Sequence, residues 1–177
     1  MVIPERAMTS GRPHPLHYRF SERLSRSRRA KGQHAAGLSR SAGLSKNAVS
    51  LLEAGPGLPK LSTVEQLARA LGLSPGWLAF GLGDANALAG EGLLCGGLAD
   101  RARTTRLERG LSALGLADRA GLTDGAVRSV EGGRHPSLST LEALATALQV
   151  SPAWLAFGQL PRELPRRGSR PAESPLP

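Results

Sequence analysis

A short segment at residues 42–53, AGLSKNAVSLLE, carries polar side chains at the start of a predicted helix, where they could contact nucleic-acid bases. Gly43 suits a tight turn between helices, and Ser45 is a good N-cap for the helix that follows. Lys46 and Asn47 lie near the N-terminus of that helix and off its apolar face. Lysine can donate to guanine O6 and N7, and asparagine can bind adenine bidentately. The pattern is therefore typical of readout in the major groove of DNA.

The chain contains this segment twice, because residues 120–131, AGLTDGAVRSVE, repeat it with an offset of 78 residues. Farther along, residues 59–81 and 136–158 share 16 identities in 23 positions, with an offset of 77 residues. The loop after the segment is thus one residue shorter in the second half of the chain. Similarity at this level indicates an internal duplication. We call the repeated regions copy one (16–81) and copy two (98–158).

Both copies resemble the Cro/C1-type, lambda-repressor-like family of helix-turn-helix DNA-binding domains. The resemblance covers about residues 18–81 and 98–158. It rests on the turn, the helix caps, a charged pair and a Ser-Pro-x-Trp-Leu helix, which occur in the same order twice. It implies an all-α fold of two tandem five-helix domains. It also implies sequence-specific binding of double-stranded DNA and transcriptional control, more often repression, without a cofactor.

The domain boundaries follow from the repeats and from composition. Segments rich in proline, glycine or arginine flank the copies and are typical of unstructured chain. The predicted organisation is a disordered arm (1–15), a first helix-turn-helix domain (16–81), a linker (82–97), a second helix-turn-helix domain (98–158) and a disordered Pro/Arg-rich tail (159–177).

Several helix ends can be placed from short sequence signatures. Ser62 and Glu65 have the spacing of a capping box at the start of the fourth helix, which leaves Glu65 on an exposed side. Ser139 and Glu142 repeat this spacing in copy two. The last helix of each copy begins with Ser-Pro, where serine is the N-cap and proline the first helical residue. The first two helices are predicted at about 16–31 and 35–41.

The resemblance assigns base-reading positions to four residues in each copy. They are Lys46, Asn47, Ser50 and Leu51 in copy one, and Asp124, Gly125, Arg128 and Ser129 in copy two. Leu51 could pack on a thymine methyl group. Asp124 would accept from cytosine N4 or would only complement the helix dipole, and its charge opposes nearby phosphates. We therefore expect copy one to be the main DNA reader, with Arg128 the base-reading candidate in copy two.

Phosphate contacts are expected from four further basic side chains, namely His34, Arg40, Lys60 and Arg134. At the start of helix two the family typically has Ser/Thr-Gln, with the glutamine contacting phosphate or base. Copy one has His34-Ala35 at this place and copy two has Ser112-Ala113, so neither copy has the glutamine there. Two interpretations of His34 stay open. It either donates a ring N–H to DNA in place of the glutamine, or it remains a solvated residue at the helix start.

The resemblance also implies one ion pair per copy between the first and third helices. The pairs are Arg28 with Glu53, and Arg106 with Glu131. Both copies keep both residues, although much of the surface differs between them. A partly buried structural pair is the favoured interpretation. The alternative for Arg28 is a phosphate contact.

Composition and charge limit the classes of protein. The chain has a net charge of +9, and residues 1–81 contribute +8 while residues 98–158 contribute +1. This excess favours a polyanionic partner for copy one. Cys95 is the only cysteine, which excludes an internal disulfide and fits a reducing compartment. Together with the resemblance, this predicts a location in the bacterial cytoplasm, at the nucleoid. No apolar run approaches the ~18 residues of a membrane span.

Neither catalytic nor metal-binding residues can be assembled from the sequence. No paired carboxylates, nucleophile with a base, or phosphate-binding glycine loop is present. His14 and His17 lack a third ligand nearby, and we interpret them as solvated histidines. We therefore predict no enzyme activity, no metal and no cofactor.

Alternatives remain for the assembly and for the role of copy two. The aromatic residues of the last helices either complete each core or form an interface; they are Trp77, Phe80, Trp154 and Phe157. Accordingly, a homodimer and an intramolecular pseudo-dimer are both open. Copy two could instead dock a protein, such as a toxin or another regulator. A nonspecific, architectural DNA binder is the third alternative.

Overall fold

The computed structural model describes residues 15–55, 57–87, 94–159 and 162–163. Copy one contains α1 (Phe20–Ala30), α2 (Ala35–Ser41), α3 (Ala48–Ala54), α4 (Leu61–Leu71) and α5 (Pro75–Phe80). Copy two contains α6 (Leu98–Glu108), α7 (Ala113–Ala120), α8 (Asp124–Glu131), α9 (Leu138–Leu148) and α10 (Pro152–Phe157). A 3₁₀ helix precedes the first α-helix of each copy, at Leu16–Arg19 before α1 and at Leu94–Gly97 before α6. The predicted all-α fold is confirmed.

The apolar faces of these helices meet in a continuous core made largely of leucine, alanine and valine. In copy one the fully buried positions include Leu24, Leu38, Val49, Leu67 and Leu78. Their counterparts in copy two include Ala102, Leu116, Val127, Leu144 and Leu155. Removing one such leucine side chain from water contributes roughly 1.5–3 kcal/mol to stability. The core is thus sufficient to hold short helices that would be marginal in isolation.

Two helix starts differ from the prediction. The predicted first helix is a 3₁₀ helix followed by α1, and the third helix begins at Ala48, two residues later than a Ser45 cap requires. Asn47 occupies the N-cap position without a side-chain capping bond, so Lys46 and Asn47 lie in the turn before α3. In copy two, Thr123 caps α8 as its sequence suggests, accepting from Ala126 N at 3.2 Å.

One arginine in each copy ties the first helix to the third. The Arg28 guanidinium donates through Nε and Nη2 to the two carboxylate oxygens of Glu53, at 2.7 and 2.8 Å. Its remaining nitrogen donates to the carbonyl of Gln33, in the loop before α2, at 2.7 Å. Arg106 and Glu131 form the same bidentate pair at 2.6 and 2.9 Å. In each case the hydrogen bond to the carboxylate raises the pKa of the arginine.

A second arginine in each copy caps the C-terminus of the last helix. Arg23 donates to the carbonyls of Leu78 and Ala79 in α5, and Arg101 makes the same contacts in α10. The last carbonyls of a helix have no partner within it, so these guanidinium groups satisfy acceptors that burial would otherwise leave unpaired. Burial lowers the pKa of Arg101.

The two copies pack directly against each other through α5 and α10. An antiparallel bridge joins Lys60 and Ser137, with Leu61 N donating to Pro136 O at 3.2 Å. Gly76 N donates to the Gln159 side-chain oxygen at 2.8 Å. All six residues of α5 are buried, including its tryptophan and phenylalanine. The aromatic residues of the last helix therefore serve the core and border the contact between copies.

The predicted capping boxes are wrong, because their glutamates bind the other copy. The N-caps of the fourth helices are Lys60 and Ser137, so Ser62 and Ser139 lie inside α4 and α9. Glu142 accepts from Leu16 N at 2.7 Å and His17 N at 3.3 Å, and lies 2.5 Å from His17 Nδ1.

Glu65 plays the corresponding part in copy one. Its carboxylate accepts from Cys95 N at 3.1 Å, and the residue is 1% exposed rather than solvated. The prediction of a solvated His17 is wrong for the same reason, because its ring is held against Glu142. His14 lies outside the described residues.

Part of the predicted linker is structured. Ser74 N donates to Ala85 O at 2.8 Å, and residues 94–97 form the second 3₁₀ helix. Residues 88–93 lie outside the described part of the chain. In copy two, Ser151 N donates in the same way to Arg162 O at 2.7 Å. The rest of the predicted arm and tail, apart from Pro15, Gln159 and residues 162–163, also lies outside it.

We predict that Glu53→Ala lowers the free energy of unfolding by about 3–5 kcal/mol, because it strands the Arg28 guanidinium in a mostly buried position. Glu131→Ala should have an equal effect in copy two. Urea denaturation measures both. The control is Asp118→Ala, which removes an exposed carboxylate from α7. Losses as small as the control's would contradict the structural role of the pairs.

We also predict that Cys95 is protected from alkylation in the folded protein. Burial, and secondarily the Glu65 carboxylate, raise the pKa of its thiol from 9.0 to about 12. At pH 8 the thiolate fraction should fall by about 1000-fold, since the thiolate is the reactive form. Iodoacetamide labelling followed by mass spectrometry measures the rate, with the guanidinium-unfolded chain as reference. A native rate within tenfold of the reference would show that the Cys95 thiol is not buried and that its contact with Glu65 is not maintained in solution.

Candidate nucleic-acid interface

The helix-turn-helix of copy one is fixed by its backbone and by one buried serine. Gly43 has a φ of +69° in the turn after α2, a conformation that glycine adopts at little cost. Ser39 Oγ, on α2, accepts from Val49 N, on α3, at 3.1 Å. Leu44 N donates to Ser39 O at 2.8 Å. These contacts hold α3 at a set angle and turn its outer face to solvent.

The predicted base readers of copy one share that solvent-facing side. Lys46 and Asn47 are exposed in the turn, and Ser50 is exposed on α3. Leu51 is 64% exposed, which leaves its methyl groups available for an apolar contact. Because the Asn47 amide makes no capping bond, its donors and acceptor are not used by the helix start. The four side chains offer a donor, an amide, a hydroxyl and an apolar tip.

The corresponding surface of copy two has a different chemistry. Arg128 Nε donates to Asp124 Oδ2 at 2.6 Å within α8, and the Arg128 side chain is 70% exposed. Gly125 is exposed without a side chain, and Ser129 is half-buried. The arginine compensates the charge of Asp124, so repulsion from phosphates is smaller than the sequence alone suggests. The terminal nitrogens of Arg128 are not used by this pair.

The candidate phosphate-binding residues all lie at the surface. His34 is the exposed N-cap of α2 and makes no side-chain capping bond, whereas Ser112 caps α7 by accepting from Gly115 N at 2.9 Å. Arg40 is exposed near the end of α2. Lys60 is exposed beside Ser137, where the two copies meet. Arg134 is exposed in the loop after α8 and completes the four.

The described residues contain no cluster of three or more histidine, cysteine, aspartate or glutamate side chains that could hold a metal ion. Cys95 Sγ lies 3.8 Å from His135 Nε2, and the two residues form only a pair. Within the same part of the chain, every helix is too short or too polar to cross a membrane.

Both halves of the chain match known families. The family described as "Helix-turn-helix domain" matches residues 19–78, and the family described as "Helix-turn-helix" matches residues 103–155. The first match runs from the start of α1 into α5, and the second from the middle of α6 into α10. The chain belongs to the Cro/C1-type helix-turn-helix proteins, with two such domains in tandem. These families are DNA-binding regulators rather than enzymes.

Two features of the site escaped the sequence analysis. The Asp124–Arg128 pair could have been found, because residues four apart on a helix are neighbours and opposite charges there attract. The binding of Glu65 and Glu142 to the other copy had no such signal. Their spacing fitted a local cap equally well, and only the packing of the copies decides between these partners.

We predict that Arg40→Ala and Lys60→Ala each reduce the salt dependence of DNA affinity. If copy one neutralises about five phosphates, log K against log salt concentration has a slope of about −4 to −5, and each lost contact removes about 0.9. Fluorescence anisotropy from 50 to 300 mM salt measures the slope. The control, Arg103→Ala, makes the same charge change at an exposed position on α6, which belongs to neither the α2–α3 pair nor the α7–α8 pair. An equal change in slope for the control would rule out specific phosphate contacts.

Proposed function

We propose that the protein is a sequence-specific, double-stranded-DNA-binding transcription regulator in which copy one is the main DNA reader. The observation that carries this proposal is the exposed set of Lys46, Asn47, Ser50 and Leu51 on one helix-turn-helix face. That face belongs to the half of the chain with the excess of positive charge. The proposed mechanism is repression by occlusion of a promoter, because this mechanism requires DNA binding and no cofactor.

The chemistry of copy one supports direct readout. Lys46 can donate to guanine O6 and N7, and Asn47 can pair with adenine N6 and N7. Leu51 can make an apolar contact with the thymine methyl group. Arg40 and Lys60 would then fix the register through phosphates without contributing sequence preference. Bases and backbone are thus contacted by different side chains.

Two other functions make different demands on affinity. A nonspecific architectural protein would bind all duplexes about equally, whereas a specific regulator binds its site roughly 10³–10⁷ times more tightly than other DNA. A protein-docking role for copy two would require a partner on α8, where the Asp124–Arg128 pair offers both charges. The salt-matched ratio of specific to nonspecific affinity separates the first two functions.

We predict that Lys46→Ala combined with Asn47→Ala abolishes specific binding. Each good base contact contributes about 1–3 kcal/mol, so losing both should weaken binding to a duplex selected from random sequence by about 30-fold to 10⁴-fold, towards the affinity for nonspecific DNA. Asp124→Ala should leave specific binding intact or strengthen it, because it removes a negative charge from copy two. Electrophoretic mobility shifts with the selected duplex and a scrambled duplex measure both effects.

The matched control for this experiment is Lys31→Ala combined with Asn86→Ala. It removes the same two residue types from exposed positions outside the α2–α3 pair, one after α1 and one after α5. If the control weakened specific binding as much as the double variant at Lys46 and Asn47, copy one would not be the reader. Loss of recognition in Asp124→Ala would instead show that Asp124 takes part in base recognition, either directly or by holding Arg128.

A further inference from the structure

We propose that one chain is a built-in pseudo-dimer, which binds a bipartite duplex site with two unequal half-sites held at a fixed spacing. This inference rests on the proposed function and adds the form of the DNA target. It follows from how the copies pack on each other and from the different side chains that they expose.

The contacts between the copies have the pattern of a two-fold axis. In an isologous interface, a residue on the axis meets its own counterpart. Lys60 pairs with Ser137, its equivalent at an offset of 77 residues, in an antiparallel bridge. Gly76 meets its equivalent, Ala153: a Cβ added to Gly76 would lie 2.9 Å from the Ala153 Cβ. Two separate places along the chain therefore identify one axis.

Contacts away from the axis occur in reciprocal pairs, as two-fold symmetry requires. The 3₁₀ helix that precedes α1 binds Glu142 of copy two through Leu16 N and His17 N. The 3₁₀ helix before copy two binds Glu65 of copy one through Cys95 N. Each glutamate is the equivalent of the other, and His17 is the equivalent of Cys95. The N-terminal 3₁₀ segment of each copy thus packs on its own helices and also binds a glutamate of the other copy, which favours a fixed arrangement over two domains on a flexible tether.

The packing of the two copies covers the surface of α5 and α10 that a second chain would need in order to form a dimer. All of α5 is buried, and so are five of the six residues of α10. The partner surface comes from the same chain, so it is present at high effective concentration at any protein concentration. A two-fold axis also leaves α3 and α8 at equal height along it and equally distant from it. The chain alone therefore supplies two symmetry-related reading helices.

The two reading surfaces carry different side chains, so their half-sites differ. Copy one presents Lys46 and Asn47, and copy two presents Arg128, whose Nε is held by Asp124. This pair leaves the two terminal nitrogens of Arg128 to bind guanine O6 and N7. Two identical chains would require a palindrome, whereas this chain requires two dissimilar half-sites. Half-sites of paired helix-turn-helix units lie about 34 Å apart, or about 10 base pairs.

The first test is selection of binding sites from a random duplex library with the full chain, followed by sedimentation of the complex on the enriched duplex. We expect a motif with two dissimilar halves about 10 base pairs apart and one chain per duplex. A palindrome that binds two chains would overturn the pseudo-dimer, and so would a single undivided half-site. Both results would leave DNA binding itself intact. Failure to enrich any sequence would refute the proposed function together with this inference.

The second test changes the DNA rather than the protein, which avoids any question of folding. Inserting five base pairs between the halves should weaken binding at least tenfold, because it turns one half-site to the opposite side of the duplex. Inserting ten should not restore affinity, since a rigid pair of copies cannot span the added length. Restored affinity with ten base pairs would indicate a flexible tether and overturn the proposal.

The third test assigns one half-site to copy two. Arg128→Ala should remove the preference for guanine in one half of the motif and leave the base preferences of the other half unchanged. Arg103→Ala makes the same charge change on α6 and should alter neither preference. If Arg128→Ala left both halves unchanged, copy two would not be a base reader, and the proposal would fail.

Discussion

The contact between the two copies is the constraint on which the rest of the structure depends. It completes the burial of α5, which also packs on α1 and α4, and brings a carboxylate from each copy against the N-terminal segment of the other. A buried carboxylate is costly unless it accepts hydrogen bonds. Glu65 therefore needs the backbone of residue 95, and Arg69 at 3.6 Å, as partners. Each copy's glutamate accepts hydrogen bonds from the N-terminal segment of the other copy. Neither half of the chain alone therefore supplies all the hydrogen-bond partners of its buried carboxylate.

Within each copy, the scaffold and the reading surface are held by different residues. The arginine–glutamate pair fixes the first helix to the third with the same bidentate geometry twice, at Arg28–Glu53 and at Arg106–Glu131. The exposed faces of α3 and α8 have meanwhile diverged from each other. A duplicated fold can change its outer side chains without disturbing this frame, because the pair, the turn and the core are all internal. Function here resides in the sites rather than in the fold.

The divergence also changes how charge is used. In copy one the candidate readers stand in a strongly basic half of the chain, where long-range attraction favours association with DNA. In copy two the basic side chain is bound by a neighbouring carboxylate, at 2.6 Å between Arg128 Nε and Asp124 Oδ2. That pair reduces the net field and orients the guanidinium at the same time. Copy one thus combines long-range attraction to DNA with base contacts, whereas copy two has little net positive charge to attract DNA.

The sequence by itself determined the helical class, the duplication, the Ser-Pro helix starts and the exposed candidates of the helix-turn-helix, because these depend on spacing, capping and turn residues that act locally. It could not determine the partners of Glu65, Glu142 and His17, or the start of α3. A Ser-x-x-Glu spacing satisfies a local cap and a distant backbone equally well. Only the packing of the copies decides which hydrogen bonds are protected from water, and the tertiary structure therefore decided the partners of these carboxylates.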